Sequence, residues 1–345
     1  MKTSGSICFL PKLEGLGGPA SFQARLMADF RNRGIDVHHD PTARDCAAIL
    51  VSGGTRQVLA LWRAKRRGVR VVQRLAQMNW IHRVHQSGLR HYLRSERNNR
   101  LLAFIRRRLA DRVVYQSEFV QSMWTDAFGE VIAPGVVIHN SVDLQTCTPD
   151  GPHQRPQDHL RMLVVEGNLG RGNEPHLEHA IHLAEAVQAQ VDRKLELMIV
   201  GNAPQILRDK WNAESGVWLT WLGTVPRERI PEIDRSAHLL YSSELNGGCP
   251  NAVIEALACG LPVVGYATGA LPELVPVEAG RVVPYGANHW KLEPPDTSAL
   301  AAAALEVLAD QDFFRRGARA YAEAHFDIGQ MGERYLDVLM GTIPI

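Results

Sequence analysis

The residues best suited to chemistry cluster in one stretch, Glu244-Leu245-Asn246-Gly247-Gly248-Cys249-Pro250-Asn251-Ala252-Val253-Ile254-Glu255, which runs on to Gly260-Leu261-Pro262. A flexible Gly-Gly turn is expected to open a helix at Pro250 or Asn251, because proline has no N–H to lose at the first helical position. The unpaired N–H groups of such a helix start, reinforced by its dipole, form an anion site suited to a diphosphate. Glu255 falls about one turn further on, where a carboxylate can accept hydrogen bonds from ribose hydroxyls. Any strand–glycine loop–helix crossover shares this pattern, so spacing alone leaves binding and plain structure both open. Gly167-Asn168-Leu169-Gly170-Arg171-Gly172-Asn173-Glu174 adds a cation, Arg171, in a second glycine-rich loop that a solvated arginine would equally suit.

Other chemistries find little support. There is no G-x-S-x-G nucleophile elbow and no G-x-x-x-x-G-K-[ST] phosphate loop. The five cysteines, Cys8, Cys46, Cys147, Cys249 and Cys259, are scattered without a C-x-x-C pair, which points to a reducing cytoplasm with no structural metal; no cofactor is expected. His82 follows a predicted strand and is the one candidate general base, although His85 and His91 lie close by and a packing role is commoner for a lone histidine.

The elements that must position these residues alternate along the whole chain. Strands are predicted at 7–10, 47–52, 69–74, 113–116 and 136–139, with helices at 20–33, 55–65 and 101–109 between them. The second half repeats the scheme, with strands at 162–165, 195–200, 217–222, 238–242, 262–266 and 281–284 and helices at 175–190, 204–211, 251–259 and 298–309. This is the signature of α/β architecture with parallel sheets covered by helices. The 345 residues suffice for two such domains. The Pro/Gly-rich segment 148–156 reads as a linker. The expected division is 1–147, 148–326 and a final helical segment 327–345 crossing back to the first domain. Two doubly wound, Rossmann-like domains facing across a cleft would hold ligands at the carboxyl ends of their strands.

The stretch around Gly247 resembles the donor-binding signature of glycosyltransferase family 4, retaining enzymes of GT-B fold, and the resemblance extends in order along nearly the whole chain. Gly17-Gly18-Pro19 resembles the family's N-terminal glycine loop. Val114–Phe119 and Val137–Asp143 resemble its last N-domain strands and hinge. Gly201-Asn202 and Trp221-Leu222-Gly223 resemble strand ends lining the nucleotide-base pocket, and Gly269-Ala270-Leu271-Pro272-Glu273 resembles its Gly-Gly-x-Pro-Glu segment. The resemblance implies a hexosyltransferase of polysaccharide biosynthesis that uses a nucleotide-sugar donor without a required metal. Its donor would be bound through Gly17, Gly18, Gly201, Asn202, Gly247, Gly248, Cys249, Pro250, Asn251 and Ala252. Catalytic roles would fall to Arg171, Glu244 and Glu255. Glu255 matches the second acid of the family's pair, while the first falls at Gly247, which has no side chain. Glu244, three residues earlier, can serve only if the loop is longer or differently folded, and Asn246 offers an alternative polar contact to a sugar hydroxyl. The lysine that follows the arginine in the family is missing after Arg171.

A net charge of +1 conceals an asymmetry: residues 1–140 carry 22 Lys and Arg against 10 Asp and Glu, and residues 141–345 carry 16 against 27. Opposite signs suggest different partners for the two halves. The segment 83–112 interleaves Arg90, Arg94, Arg97, Arg100 and Arg106–Arg108 with Leu101, Leu102, Phe104 and Ile105. It reads as a solvated helical face, as a peripheral contact with anionic lipid on the inner face of the membrane, or as a site for an acidic acceptor. No nucleic-acid motif accompanies the charge. No apolar run reaches the ~18 residues of a membrane span, and the first residues lack signal-peptide character. The expected acceptor is a glycan or a lipid-linked sugar. The alternative is a nucleotide-sugar-binding partner subunit impaired in turnover by Gly247.

Overall fold

The computed structural model describes residues 5–15, 17–84, 88–170 and 172–341, and the chain divides into two compact units, Met1–Ser141 with Ile328–Ile345, and Val142–Asp327.

In the first unit, β1 (Ser6–Leu10), α1 (Gly18–Asn32), β2 (Val37–His38), β3 (Cys46–Ser52), α2 (Val58–Arg66), β4 (Arg70–Leu75), α3 (Leu89–Arg108), β5 (Arg112–Tyr115), α4 (Glu118–Phe128) and β6 (Gly135–Val137) follow in order. The strands form one parallel sheet, ordered β2-β1-β3-β4-β5-β6. Strand alternation supplies both faces. Ile7, Phe9, Ala48 and Leu50 pack against Phe22, Leu26 and Phe30 of α1, while Cys8, Leu10, Ile49 and Val51 meet Leu61 and Ala64 of α2 and Ile105 and Leu109. The predicted helix at 101–109 in fact begins at Leu89. Its added turns bury little apolar surface and are tied down by polar groups: Asn99, fully buried, accepts from the Asn79 amide at 3.2 Å and donates to the Asn79 carbonyl at 2.9 Å. Periodicity could not find it, because hydrogen bonds rather than an apolar stripe anchor that part.

In the second unit, β7 (Leu160–Asn168), α5 (Glu174–Gln188), β8 (Leu195–Asn202), α6 (Gln205–Glu214), β9 (Trp218–Gly223), α7 (Ile230–Arg235), β10 (Leu239–Ser242), α8 (Asn251–Ala258), β11 (Val263–Tyr266), α9 (Leu271–Leu274), β12 (Gly280–Val283), α10 (Thr297–Ala309) and α11 (Gln311–His325) build a second parallel sheet, ordered β12-β11-β10-β7-β8-β9. The order reverses between β7 and β10, which makes the gap beyond their carboxyl ends the natural ligand position. The polar segment 148–156 belongs wholly to this unit. Arg235, almost buried, donates to the carbonyls of Thr148 and Pro152 at 3.1 Å each.

The final helix, α12 (Ile328–Met340), packs in the first unit. Met331, Tyr335, Val338 and Leu339 join the cluster around α1, and the Tyr335 ring lies 5.3 Å from that of Phe22. Gly332 faces the Asp29 carboxylate of α1, where a Cβ would overlap Oδ2.

Candidate active site

At the reversal between β7 and β10 the Ser243 hydroxyl donates to Glu166 Oε2 at 2.9 Å, joining the ends of the two strands. His176, buried in the first turn of α5, places Nδ1 3.7 Å from the same carboxylate oxygen. Three segments therefore converge here: the β7–α5 loop, the end of β8, and the β10–α8 loop. Glu166, His176 and Ser243 were not singled out from the sequence. The available signal was position alone, a carboxylate at the carboxyl end of a central strand.

Gly201 closes β8 with φ 142°, and a Cβ there would overlap the Glu166 carbonyl oxygen. Glycine is thus required by close approach of the backbone, which holds the β7 exit against β8. The Asn202 carbonyl accepts from the Leu169 amide at 3.0 Å, pinning the next loop, while its side chain is exposed. That loop is further ordered by Asn173 Nδ2 donating to the Asn168 carbonyl at 3.0 Å and by the Gly172 amide donating to Glu174 at 2.7 Å. Arg171 lies outside the described residues.

The β10–α8 loop carries most of the sequence-predicted positions. Helix α8 begins at Asn251, with Pro250 as the extended residue before it, a cap residue that supplies no side-chain hydrogen bond of its own. Gly248 and Cys249 are buried, whereas Pro250, Asn251 and Ala252 are half-buried at the helix start. The left-handed residue is not one of the glycines but Asn246, at φ 57°. Asparagine tolerates this conformation better than most residues. The turn folds the chain back, so that a Cβ at Gly247 would lie 2.9 Å from Cδ and 3.0 Å from Oε2 of Glu244. The Glu244 carboxylate thus occupies the space into which a side chain at 247 would project. The Gly269 segment crosses directly over this turn. Ala270 donates its N–H to the Gly247 carbonyl at 2.9 Å, and a Cβ at Gly269 would come within 2.5 Å of that same oxygen. Two motif pieces 22 residues apart are thus one packed unit, with the Asn246 amide also 3.4 Å from Thr268 Oγ1.

Glu255 sits inside α8 and is almost buried. Burial, and next the charge of Glu255, keep the carboxyl of fully buried Asp234 protonated well above the usual range.

Gly17 and Gly18 lie in the first unit. Gly17 precedes α1 in extended conformation, α1 has no side-chain cap, and Gln23 steadies the preceding loop by donating to the Pro11 carbonyl and accepting from the Leu13 amide, both at 2.9 Å. His82, in the same unit, bonds Glu96 through Nε2 at 2.9 Å and packs 5.3 Å from the Tyr92 ring. Arg83 foremost, with help from His82, holds the Glu96 carboxyl down to about 2. Among the described residues no group of three or more His, Cys, Asp or Glu is placed to hold a metal ion.

Residues 162–310 match the family of glycosyl transferases group 1. Over 98% of this chain and 99% of the other, the structure superposes on sucrose-phosphate synthase from Thermosynechococcus elongatus with a TM-score of 0.71 at 16% identity. The fold is that of the GT-B glycosyltransferases. The Anabaena protein HepE, solved with UDP and glucose, shares this GT-B fold at a TM-score of 0.71 and 16% identity, over 98% of this chain and all of its own. Among curated proteins, the O-antigen chain mannosyltransferase B of Escherichia coli is 31% identical over 96 residues, 28% of this chain and 23% of the relative. The chain matches less than half the length of the curated relatives. The group 1 match runs from within β7 to the end of α10, and so covers the second-unit positions of the site described above.

Proposed function

We propose that this GT-B chain is a retaining glycosyltransferase that moves a hexose from a nucleoside-diphosphate sugar to a glycan or lipid-linked acceptor. The observation that carries the reading is the Glu244 carboxylate packed against Gly247, in the loop that leads into the start of α8, which puts an acid there despite the glycine at the expected position. The α8 amides receive the diphosphate, Glu255 the ribose and Glu244 the sugar. Arg171 is the proposed cation for the phosphates, and Gly17 and Gly18 the proposed contribution of the first unit. In the transfer the bond from C1 to the phosphate oxygen breaks, the acceptor oxygen bonds C1 on the same face, and the acceptor proton passes to the departing diphosphate. The protein contributes mainly by stabilising the charge that grows on that leaving group, for which oriented helix amides are suited. The family match, and the UDP and glucose held by HepE, support a sugar nucleotide as donor. Because Glu244 supplies the acid, a turnover-impaired partner subunit is the weaker reading.

The acceptor side rests on α3. Leu89, Leu93 and Phe104 are 74%, 58% and 47% exposed beside the exposed Arg90, Arg94, Arg97, Arg100, Arg107 and Arg108. Such a face suits anionic headgroups with apolar side chains dipping between them, and hence a lipid-linked acceptor at the inner face of a membrane. No described helix is long and apolar enough to cross a membrane. Flotation with vesicles containing anionic phosphatidylglycerol should exceed flotation with neutral vesicles, and equal flotation overturns the membrane contact.

The donor reading is tested by thermal stability across UDP-, GDP-, ADP- and CMP-sugars, with Glu255→Ala as control. A donor at 100 times its dissociation constant adds about 2.7 kcal/mol. A shift confined to one base and lost in the variant supports the site, and no shift with any donor overturns it. NMR of the product then reads the anomeric configuration.

A further inference from the structure

At the amino ends of β7, β8 and β10, away from the loops that form the candidate site, cations gather. Arg155 donates to the Gln311 side chain at 3.1 Å, at the start of α11, and Arg315 lies one turn further along that helix. Arg315 reaches the Ala237 carbonyl at 3.4 Å, immediately before His238. Arg193, just before β8, donates to the carbonyls of Gln157 and His159 at 2.9 and 2.8 Å, just before β7. The buried carboxylate of Glu196 is already held by Arg161 and His159. Among the described residues, no carboxylate stands within ion-pair distance of Arg155, Arg193 or Arg315. Burial foremost, and next the charge of Arg155, hold the half-buried Arg315 down to about 10, against a weaker pull from exposed Asp312.

His238 sits among these cations and is 6% exposed. Its Nδ1 faces the Arg161 amide at 3.0 Å; a backbone N–H can only donate, so the proton of the neutral ring is on Nε2. Burial foremost, then the charges of Arg155, Arg193 and Arg315, hold the imidazole down to about 4 and so keep it neutral. Nε2–H is therefore a nearly buried donor beside three guanidinium groups, with no acceptor among the described residues. A donor ringed by like charges adds nothing to the fold, since neutral side chains could serve the same carbonyls without the repulsion.

We propose that Arg155, Arg193, Arg315 and His238 form a phosphate site separate from the donor site. A phosphate dianion, free in solution or carried on a lipid headgroup, sits between the guanidinium groups and accepts from His238 Nε2. A planar carboxylate is satisfied by one guanidinium fork, whereas cations arriving from three segments, with a ring N–H between them, suit a tetrahedral anion with several accepting oxygens. The site does not depend on the donor reading.

The test is calorimetric titration of the full chain with inorganic phosphate at fixed ionic strength, with and without excess UDP. Phosphate should bind saturably in both, and acetate at least about tenfold more weakly. Arg155→Gln and Arg315→Gln should each weaken phosphate about tenfold or more, the loss expected for one charged hydrogen bond. Without phosphate, both variants should melt no lower than wild type, because each removes like-charge repulsion. A direct readout needs no arginine variant: the His238 Nε2–H resonance, assigned by its absence in His238→Gln, should move with phosphate at the calorimetric midpoint. No saturable binding, a resonance that stays in place, or binding that UDP abolishes and both arginine variants keep, overturns the site. Vesicles of phosphatidylcholine with phosphatidate separate the two sources. Vesicle binding that inorganic phosphate competes away and Arg155→Gln/Arg315→Gln loses assigns a lipid headgroup, and equal vesicle binding by both proteins assigns a soluble phosphate.

Discussion

The placement of Glu244 can be tested by moving its charge. A Cβ at 247 would lie 2.9 Å from Glu244 Cδ and 3.1 Å from Pro250 Cγ, so an acid can be restored at 247 only by displacing the one that reaches there from 244. Three variants follow. On the proposed role, Glu244→Ala removes a charged hydrogen bond to the donor sugar worth about 1.5–3 kcal/mol, and should lower affinity or kcat/KM by roughly 10- to 150-fold at 1.4 kcal/mol per decade. Gly247→Glu alone crowds two carboxylates into one space. At about 4 Å and an effective dielectric constant near 20 their repulsion is about 4 kcal/mol, so this variant should be at least as impaired as Glu244→Ala. The double variant Glu244→Ala/Gly247→Glu relieves both the clash and the repulsion and should recover a large part of the loss. The assay is release of nucleoside diphosphate from whichever donor gives a thermal shift, with calorimetric affinity alongside. A Glu244→Ala enzyme within about twofold of wild type refutes the assigned role. A double variant no better than Gly247→Glu refutes the claim that the two positions compete for one space.

Three further outcomes follow from the second unit. Asp234→Asn should stabilise the protein increasingly as pH rises above 3.8, because the unfolded carboxyl ionises there while burial and Glu255 keep the folded one protonated. Each pH unit of that window is worth about 1.4 kcal/mol, and melting curves of wild type and variant that stay parallel from pH 4 to 8 would contradict it. His179 and His238 are each held down to about 4, foremost by burial; their contribution is intact above 6.5 and lost as pH falls toward 4, so the urea midpoint should drop across that window and drop less in His238→Gln. Gly201→Ala should cost roughly 3 kcal/mol or more, seen as a lower melting temperature, because the new Cβ overlaps the Glu166 carbonyl at φ 142°; an unchanged melting temperature would show that β7 and β8 separate there freely.

Most of the parallel strands were legible because buried β-branched runs such as Ala47–Ser52 and Leu195–Val200 are bounded by turn residues. The elements that escaped are those whose stability is not written as an apolar period. The first turns of α3 depend on Asn99 reaching Asn79, and β2 is a two-residue edge strand, too short to show a period, that pairs with β1. At the site, the helix start at Asn251 was readable from Pro250 and the glycines, since proline and glycine act locally. The bond between Ser243 and Glu166, 77 residues apart, was not, because it depends on strand order and not on local pattern.

The identity of the residue at position 247 is a poor guide to what occupies that point in space. The sequence offers a glycine there, and motif spacing alone reads the glycine as a missing acid. Three local facts restore it. Asn246 takes the left-handed conformation, which reverses the chain over a single residue. Gly247 has no Cβ to keep a neighbouring side chain away. Glu244 has a stem long enough to bring its carboxylate back onto the turn, within 3.0 Å of that absent Cβ. An aspartate at 244 is one methylene shorter and should not reach, so Glu244→Asp ought to behave in donor binding like Glu244→Ala, despite keeping the charge. If charge near the helix start were all that mattered, the aspartate variant would retain most of the affinity.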